Sequence, residues 1–189
     1  MPFYASVGPE QADPKRSFRF LFYLPSNTTQ GGLQSYTVKD VKKPTFQMEG
    51  GPQIRYIQHT FKYPGRVMWN DVTVTVVDPG GSEDAGATLF NMLARSGYSR
   101  PSTDELSRTS ISKGKALAAL GQPKIVQIDS EAREIEQWTL HNAYLSQVDF
   151  GQVSYDNDEI VNISLTMVYD YATLFKTGKP VDAAVRSKA

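Results

Sequence analysis

The sequence contains no cysteine, only two histidines and no long apolar run. Without cysteine the chain can form no disulfide and offers no thiolate to a metal, and two histidines argue against a His-rich metal centre. No stretch approaches the roughly 18 apolar residues that a transmembrane helix needs. The first residues lack the basic start and apolar middle of a signal peptide. We therefore expect a soluble protein, made in the cytoplasm and not exported by the general route.

The sequence also lacks an excess of charge of either sign, since Lys and Arg number 20 and so do Asp and Glu. This balance gives no support to nucleic-acid binding as the main function. The charges are nevertheless segregated along the chain. Residues 95–124 hold six basic and two acidic side chains, a local balance of +4, and residues 129–170 hold nine acidic and one basic, a balance of −8. Two solvated surfaces of opposite sign would explain this, and so would a contact between copies of the chain.

Two stretches alternate between apolar and small polar residues, which is typical of strands with one buried face. The first, at 72–76, reads Val-Thr-Val-Thr-Val and turns Thr73 and Thr75 outward. The second, at 159–171, turns three uncharged polar residues outward: Asn162, Ser164 and Thr166. An exposed strand of a soluble monomer usually carries some Lys or Glu, and these two faces carry none.

Turn residues divide the rest of the chain into shorter strands. Strands are predicted at 17–24, 36–43, 46–53, 54–63, 124–129 and 133–142, the last two forming a hairpin around 129–132. Gly50-Gly51-Pro52 is interpreted as a break between strands, and Pro64-Gly65 as a turn that leads into the alternating strand. Residues 143–158 are rich in turn signals.

One helix is predicted at about 82–96. Ser82 suits the N-cap, Glu83 and Asp84 suit the first turn because the helix dipole favours acids there, and Gly97 is a stop signal. Residues 98–123 form a long excursion rich in Ser, Arg and Lys, in which a second short helix could form around 115–120.

These elements predict a mainly β protein: an antiparallel β-barrel or sandwich of two packed sheets, with one flanking α-helix and long loops. We expect a flexible N-terminal arm at 1–16, a domain at 17–172 that includes the 98–123 loop, and a C-terminal tail at 173–189.

Short motifs of enzymes and binding sites occur without the context that they need. The strand, glycine turn and helix after residue 72 lack the Lys of a phosphate-binding loop, and Glu83 and Asp84 would repel phosphate. Ser110–Lys113 matches Ser-x-x-Lys, but the Ser-Asp-Asn element is missing. Residues 156–159 are acidic, yet a hairpin turn explains them without calcium. We predict no catalytic, metal or cofactor site.

The sequence resembles the tail tube proteins of contractile-tailed bacteriophages in two segments, FKYPGRVMWNDVTVTVVDP and WTLHNAYLSQVDFGQVSYDNDEIVNISLTMVYDY. This family is related to the inner-tube proteins of contractile injection systems. Shared features are the Pro-Gly pair before the alternating strand, the helix directly after it, an acidic turn before Glu159 and the closing Tyr169-Asp170-Tyr171. The resemblance covers roughly residues 17–172, and the chain departs from shorter members at 98–123 and in its tail.

The resemblance implies a structural virion protein that is assembled in the host cytoplasm. Six subunits would form a ring, with one sheet of each lining a continuous channel, and rings would stack into a tube inside a contractile sheath. The implied partners are other copies of the chain, the sheath protein, baseplate tube proteins, a tape-measure protein and double-stranded DNA that passes through the lumen without sequence-specific binding. It implies no membrane and no cofactor.

Two sets of residues are candidates for assembly contacts under this resemblance. The candidate lumen or ring-interface face consists of Thr73, Thr75, Asn162, Ser164 and Thr166. The candidate stacking charges are Arg100, Arg108, Lys113, Lys115, Asp156, Asp158 and Glu159. Opposite charges on two ends of a subunit suit a head-to-tail contact, which propagates into a filament.

Three other functions remain open at the level of sequence. A tube-initiating baseplate protein and an inner-tube protein of a bacterial injection system would share the fold. A small β-barrel that binds a ligand or acts as a hydrolase would need an apolar cavity with convergent polar groups, and the sequence shows no such set.

Overall fold

A computed structural model describes residues 14–25, 37–79, 84–99, 110–156 and 158–176, and the backbone alone at 179–180. The strands are β1 (Phe20–Tyr23), β2 (Val38–Val41), β3 (Thr45–Tyr56), β4 (His59–Asn70), β5 (Val72–Val77), β6 (Lys124–Ile128), β7 (Glu134–His141), β8 (Tyr144–Asp149), β9 (Asn162–Val168), β10 (Tyr171–Lys176) and β11 (Lys179–Pro180). The helices are α1 (Ala85–Arg95) and α2 (Lys113–Leu120).

The strands form two sheets that pack as a sandwich, and a separate hairpin. A five-stranded sheet has the order β1-β6-β7-β10-β11, and a four-stranded sheet has the order β2-β5-β9-β8. Both are antiparallel throughout. The prediction of two packed antiparallel sheets is confirmed. Of the two predicted arrangements, barrel and sandwich, the described strands form the sandwich.

The core lies between the sheets and is filled by the apolar halves of the alternating strands. Fully buried side chains come from both sheets and from α1: Phe22, Val72, Val74, Val76, Leu89, Met92, Leu140, Ile163, Leu165 and Met167. The alternation predicted at 72–76 and 163–167 is observed, since every second residue there is buried. Apolar burial of this kind is the main stabilising contribution to folding.

Two helices cover the β8 side of the sandwich: the helix predicted at about 82–96, and the short second helix that the sequence allowed around 115–120. Helix α1 begins at Ala85 rather than at 82, and its N-cap is Asp84, whose side chain accepts a hydrogen bond from the Ala87 backbone N–H at 3.0 Å. Helix α2 lies within the 98–123 excursion and is capped by Ser112, which accepts from the Lys115 N–H. Neither helix of the described residues has the length and apolarity needed to cross a membrane.

The predicted turn at Pro64-Gly65 is wrong. Strands β3 and β4 are each 12 residues long and form one hairpin whose two-residue turn is Ile57-Gln58. Gly50 lies opposite Pro64, at a point where the register of the hairpin shifts. A Cβ on Gly51 would lie 2.4 Å from the Tyr63 carbonyl oxygen. These glycines and prolines thus mark a bulge where two backbones approach closely, and neither pair ends a strand.

The C-terminal part of the chain also differs from the prediction. The long strand predicted at 159–171 is β9, and the chain bends at Asp170 before β10 enters the other sheet beside β7. Residues 173–176 therefore belong to the sandwich and not to a tail. The region predicted as turn-rich at 143–158 contains β8, which pairs with β9. Residues 1–13 of the predicted arm and 181–189 of the predicted tail lie outside the described residues.

A polar cluster around Glu136 joins the two sheets at the end of β2. Lys43, just after β2, donates to the Glu136 carboxylate at 2.8 Å, and Lys15 pairs with its other oxygen. The Trp138 indole N–H donates to the same carboxylate at 2.6 Å. Burial by itself raises the pKa of this carboxyl, but the three hydrogen bonds outweigh burial and lower the pKa to about 2.

We expect Glu136→Gln to lower the free energy of unfolding by about 3 kcal/mol at pH 7, because it removes the ionised partner of both lysines. The folded-state pKa is depressed, so the contribution is full above the ordinary value of 4.5 and is lost as the pH falls towards about 2. Urea unfolding at pH 7, 5 and 3 measures this. Glu134→Gln, at an exposed position two residues earlier in the same strand, is the control. A difference from wild type that stays constant down to pH 3 would contradict the prediction.

Candidate assembly surfaces

The five residues predicted to line a lumen or ring interface lie together on the outer face of the four-stranded sheet. Thr73 lies directly opposite Thr166, and Thr75 opposite Ser164, in the β5–β9 ladder. Asn162 pairs with Val77 at the end of the same two strands. Because successive side chains of a strand alternate between faces, burial of the valines in the core turns these polar residues away from it.

The flanking strands extend this face and place charged residues at its two margins. Gln147 of β8 pairs with Thr166, Asp149 of β8 pairs with Ser164, and Asp40 of β2 pairs with Thr75. No Lys or Arg occurs in β5, β8 or β9, whereas β2 carries the exposed Lys39 and is followed by Lys42, whose backbone N–H donates to the Thr73 carbonyl oxygen at 2.9 Å. The centre of the face is therefore polar and uncharged, its β8 margin is acidic, and its β2 margin carries charges of both signs. Sequence reasoning missed Asp40, Gln147 and Asp149, because β8 was not predicted as a strand and the pairing of β2 with β5 is not visible in the sequence.

Two strands leave one edge each of this sheet unpaired within the described chain. These are β2 and β8, which lie at opposite ends of the strand order. Unpaired edges expose backbone N–H and C=O groups that can add another strand. Adjacent strands run antiparallel across the whole sheet, so β2 and β8 themselves run in opposite directions.

The predicted stacking charges divide between the two ends of this sheet. Lys113 pairs with the Asp170 carboxylate at 2.8 Å, at the end where β9 finishes. Asp156, Asp158 and Glu159 lie in the loop between β8 and β9, at the opposite end. Lys115 is in the first turn of α2. Arg100 and Arg108 lie outside the described residues.

The β3–β4 hairpin is the largest feature that sequence reasoning missed. Its base is held at Trp69, whose ring contacts Phe46 at 5.5 Å and Tyr169 at 6.0 Å between centroids. Nearly all of its other residues are exposed, so it stands away from the sandwich. Its exposed apolar residues are Phe46, Met48, Ile54, Tyr56, Ile57, Phe61, Tyr63, Val67 and Met68. An exposed apolar set of this size marks an interaction surface.

The described residues offer no arrangement suited to catalysis or metal binding. An apolar groove of about 510 Å³ lies between α1, α2 and β8, and its lining has no acid, histidine or lysine. His141 is held in place by Tyr171, which stacks on it at 4.5 Å, and by Thr173 at 2.9 Å. Within the described chain no three metal-ligating side chains cluster.

Comparison with solved structures gives matches over almost the whole chain. The tube terminating cap of the anti-feeding prophage matches with a TM-score of 0.61 and 15% identity, over 93% of this chain and 99% of that one. A chain in the sheath-tube complex of the extracellular contractile injection system PVC, in its extended state, matches with a TM-score of 0.60 and 14% identity, over 90% and 99%. The chain has the tail-tube fold.

A chain in the anti-feeding prophage baseplate is also similar, with a TM-score of 0.57 and 14% identity over 88% of this chain and 98% of that one. The tail-tube fold is thus shared by chains from a cap, a tube and a baseplate, and fold alone does not separate these roles. No family model matches the sequence. No curated protein matches it significantly.

Proposed function

We propose that this protein is a structural subunit of a contractile tail or injection device, and that its copies form rings that stack into the inner tube. The observation that carries the proposal is the four-stranded sheet, which combines an outer face whose centre is polar and uncharged with two edge strands, β2 and β8, that have no further strand partner among the described residues. A free monomer gains nothing from this combination. A ring of subunits closes both edges and turns the polar face towards a water-filled bore.

The directions of the edge strands are compatible with a continuous antiparallel sheet around such a ring. In a cyclic ring whose strands run roughly along the axis, every subunit keeps the same strand directions. Strand β8 of one copy would then lie antiparallel to β2 of the next, because β2 and β8 run in opposite directions within one sheet. The antiparallel ladder would continue from copy to copy and leave no edge exposed. We propose six copies per ring, as in the family that the sequence resembles.

The finer role that we propose is the major tail tube subunit of a contractile phage tail. The five-stranded sheet and the helices would face the sheath, baseplate tube proteins would meet one end of the tube, and a tape-measure protein would set its length. Double-stranded DNA would pass through the bore during genome ejection. A bore without Lys or Arg on its central strands would not hold DNA, since phosphate contacts with basic residues dominate non-specific affinity.

We expect Thr73→Lys to give assembled rings or tubes a salt-dependent affinity for duplex DNA, roughly tenfold or more above wild type at low salt. Thr73 is exposed at the centre of the polar face, so each ring would gain one charge per copy on its inner wall. Fluorescence anisotropy with a labelled duplex at several salt concentrations measures this. Asn91→Lys, on the exposed face of α1, is the matched control. Equal gains in both variants would place Thr73 outside the bore.

Negative-stain electron microscopy of the purified chain over a concentration series tests the proposal. Hollow rings or tubes would support it and would give the ring symmetry. A chain that stays monomeric at every concentration, and also in the presence of preformed tube ends of its own particle, would contradict it. Copies per particle then separate a main tube subunit from a baseplate initiator or a terminal cap, because only the first repeats along the tube.

A further inference from the structure

The apolar groove of about 510 Å³ opens beside β8, an edge strand of the four-stranded sheet, and helices α1 and α2 form its other walls. The described residues that line it include no charged side chain. Four large apolar residues of its walls are between 40% and 54% exposed: Phe90, Leu93, Ile111 and Phe150. Sites that bury a ligand of several rings have volumes of roughly 300–1,000 Å³ and are mostly apolar. The groove therefore has the size and the character of a docking site for aromatic groups.

The N-terminal segment is anchored at the opposite margin of the same sheet. Lys15 pairs with the Glu136 carboxylate, which also accepts from Lys43 at 2.8 Å, and Lys43 comes just after the edge strand β2. Gln127 accepts from Lys43 at 2.5 Å and donates to the Arg16 backbone carbonyl oxygen at 3.1 Å. The chain that precedes Lys15 therefore starts beside β2, whereas the groove lies beside β8 at the other end of the strand order.

Residues 1–13 lie outside the described residues, and their composition divides them into two parts. Residues 1–8 read Met-Pro-Phe-Tyr-Ala-Ser-Val-Gly and contain no Asp, Glu, Lys or Arg. Residues 9–13 are polar and hold the two acids of the segment. Phe3 and Tyr4 are adjacent aromatic residues, and aromatic side chains bury a large apolar area and often anchor interfaces. When extended, the 13 residues reach up to about 40 Å at roughly 3.3 Å per residue.

A ring of the proposed kind brings the start of this segment close to a groove. In that ring β2 of one copy pairs with β8 of the next, and paired strands lie about 4.8 Å apart. The segment before Lys15 then starts at the contact between the two copies, and the groove of the next copy flanks the same contact. Within one copy the segment and the groove are separated by the width of the whole four-stranded sheet. The groove of the next copy is thus the nearer one.

We propose that residues 1–8 of one copy bind the groove between α1, α2 and β8 of the next copy, with Phe3 and Tyr4 as the anchoring side chains. The contact removes apolar surface of both the segment and the groove from water, which favours association. It rests on the proposed ring, in which it adds a side-chain contact to the β8–β2 ladder. Each copy donates one segment and accepts one, so the contact is head-to-tail and closes with the ring.

The first test combines Phe3→Ala with Tyr4→Ala. This variant should form rings only at a concentration at least about tenfold above that of wild type, because it lacks both anchors. Analytical ultracentrifugation measures the threshold. Urea unfolding of the monomer should be unchanged, since the contact is made between copies. Ser6→Ala combined with Gln11→Ala, in the same segment, is the control and should assemble like wild type. Rings of the Phe3→Ala, Tyr4→Ala variant at the wild-type concentration would overturn the proposal.

The second test uses the absence of cysteine from the sequence. Chains with Ser6→Cys are mixed under mild oxidation with chains carrying Ala116→Cys, at a position of α2 that lines the groove. The control uses Ala118→Cys in place of Ala116→Cys, because Ala118 is an exposed residue of the same helix that does not line the groove. We expect several-fold more 6–116 than 6–118 disulfide on a non-reducing gel, although residue 118 is the more exposed of the two. Equal amounts would overturn the contact.

A chain that carries both Ser6→Cys and Ala116→Cys separates binding between copies from binding within one copy. Binding to the next copy gives covalently linked dimers and longer oligomers. A monomer closed by its own 6–116 disulfide would overturn the proposal.

These tests also separate failure of this contact from failure of the proposed function. Rings that form without the 6–116 disulfide would overturn the contact and leave the ring proposal standing. A 6–116 disulfide between copies of a chain that forms no rings would overturn the ring proposal and leave the contact between copies standing.

Discussion

Ser146→Pro should abolish ring formation at concentrations where wild type assembles, while the monomer stays folded. Ser146 is the bulged residue of β8: its neighbours Leu145 and Gln147 have partners in β9, and Ser146 itself has none. Proline is tolerated at bulges and on edge strands, and it removes a backbone N–H. The unpaired edge of β8 would therefore lose a backbone donor. The ladder of backbone hydrogen bonds between β8 of one copy and β2 of the next would then be interrupted at each subunit contact of the ring.

Analytical ultracentrifugation over a concentration series measures this effect. We expect the ring threshold to rise by at least about tenfold, which corresponds to 1.4 kcal/mol per contact. Ser146→Ala is the matched control, because both variants lose the hydroxyl that donates to the Thr166 carbonyl oxygen at 3.2 Å. Rings of Ser146→Pro at the wild-type concentration would exclude β8 from the ring contact.

Leu165→Ala should lower the free energy of unfolding by about 3 kcal/mol. Leu165 is fully buried at the centre of β9, between Val74 of β5 and Val148 of β8. Truncation removes buried apolar surface and leaves a cavity that a sandwich of two sheets cannot close easily, and such substitutions cost 2–5 kcal/mol. For a chain of this size each kcal/mol lowers Tm by about 2–4 °C.

Urea unfolding of the monomer measures this loss. The neighbouring Ser164→Ala changes an exposed side chain on the opposite face and should shift the free energy of unfolding by no more than about 0.5 kcal/mol. The contrast between two adjacent residues tests which face of β9 is buried. Similar losses in both variants would contradict the assignment of an outer polar face.

The alternating strands show how far local pattern reaches. Val72, Val74 and Val76 predicted a strand with one buried face, and that strand is the centre of the four-stranded sheet. The β6–β7 hairpin was also predicted, around residues 129–132. In the structure Asp129 accepts hydrogen bonds from the Glu131 and Arg133 backbone N–H groups at this turn. In both cases the signal is contained in a few consecutive residues. Side-chain period and turn chemistry are local properties, and sequence expresses them directly.

The β3–β4 hairpin shows where local pattern fails. Gly50-Gly51-Pro52 and Pro64-Gly65 are turn signals in isolation, yet here they meet across two strands and allow a close backbone approach. The true turn at Ile57-Gln58 carries no turn signal, because Ile disfavours the left-handed conformation that it adopts. A turn formed by a residue that disfavours its backbone conformation cannot be recognised from the conformational preferences of its residues.

The sequence by itself determined which residues of the two alternating strands face the core, the polar and uncharged character of the centre of the outer face, and the absence of thiol chemistry. The tertiary structure alone decided that β2 and β8 are the edge strands, that Asp40, Gln147 and Asp149 join the polar face, and that the β3–β4 hairpin and the β8–β9 loop lie at opposite ends of the four-stranded sheet. Burial preferences act residue by residue and leave a periodic trace in the chain. Strand order and the ends of a sheet arise from pairing between distant segments, and such pairing leaves no trace in any one of them.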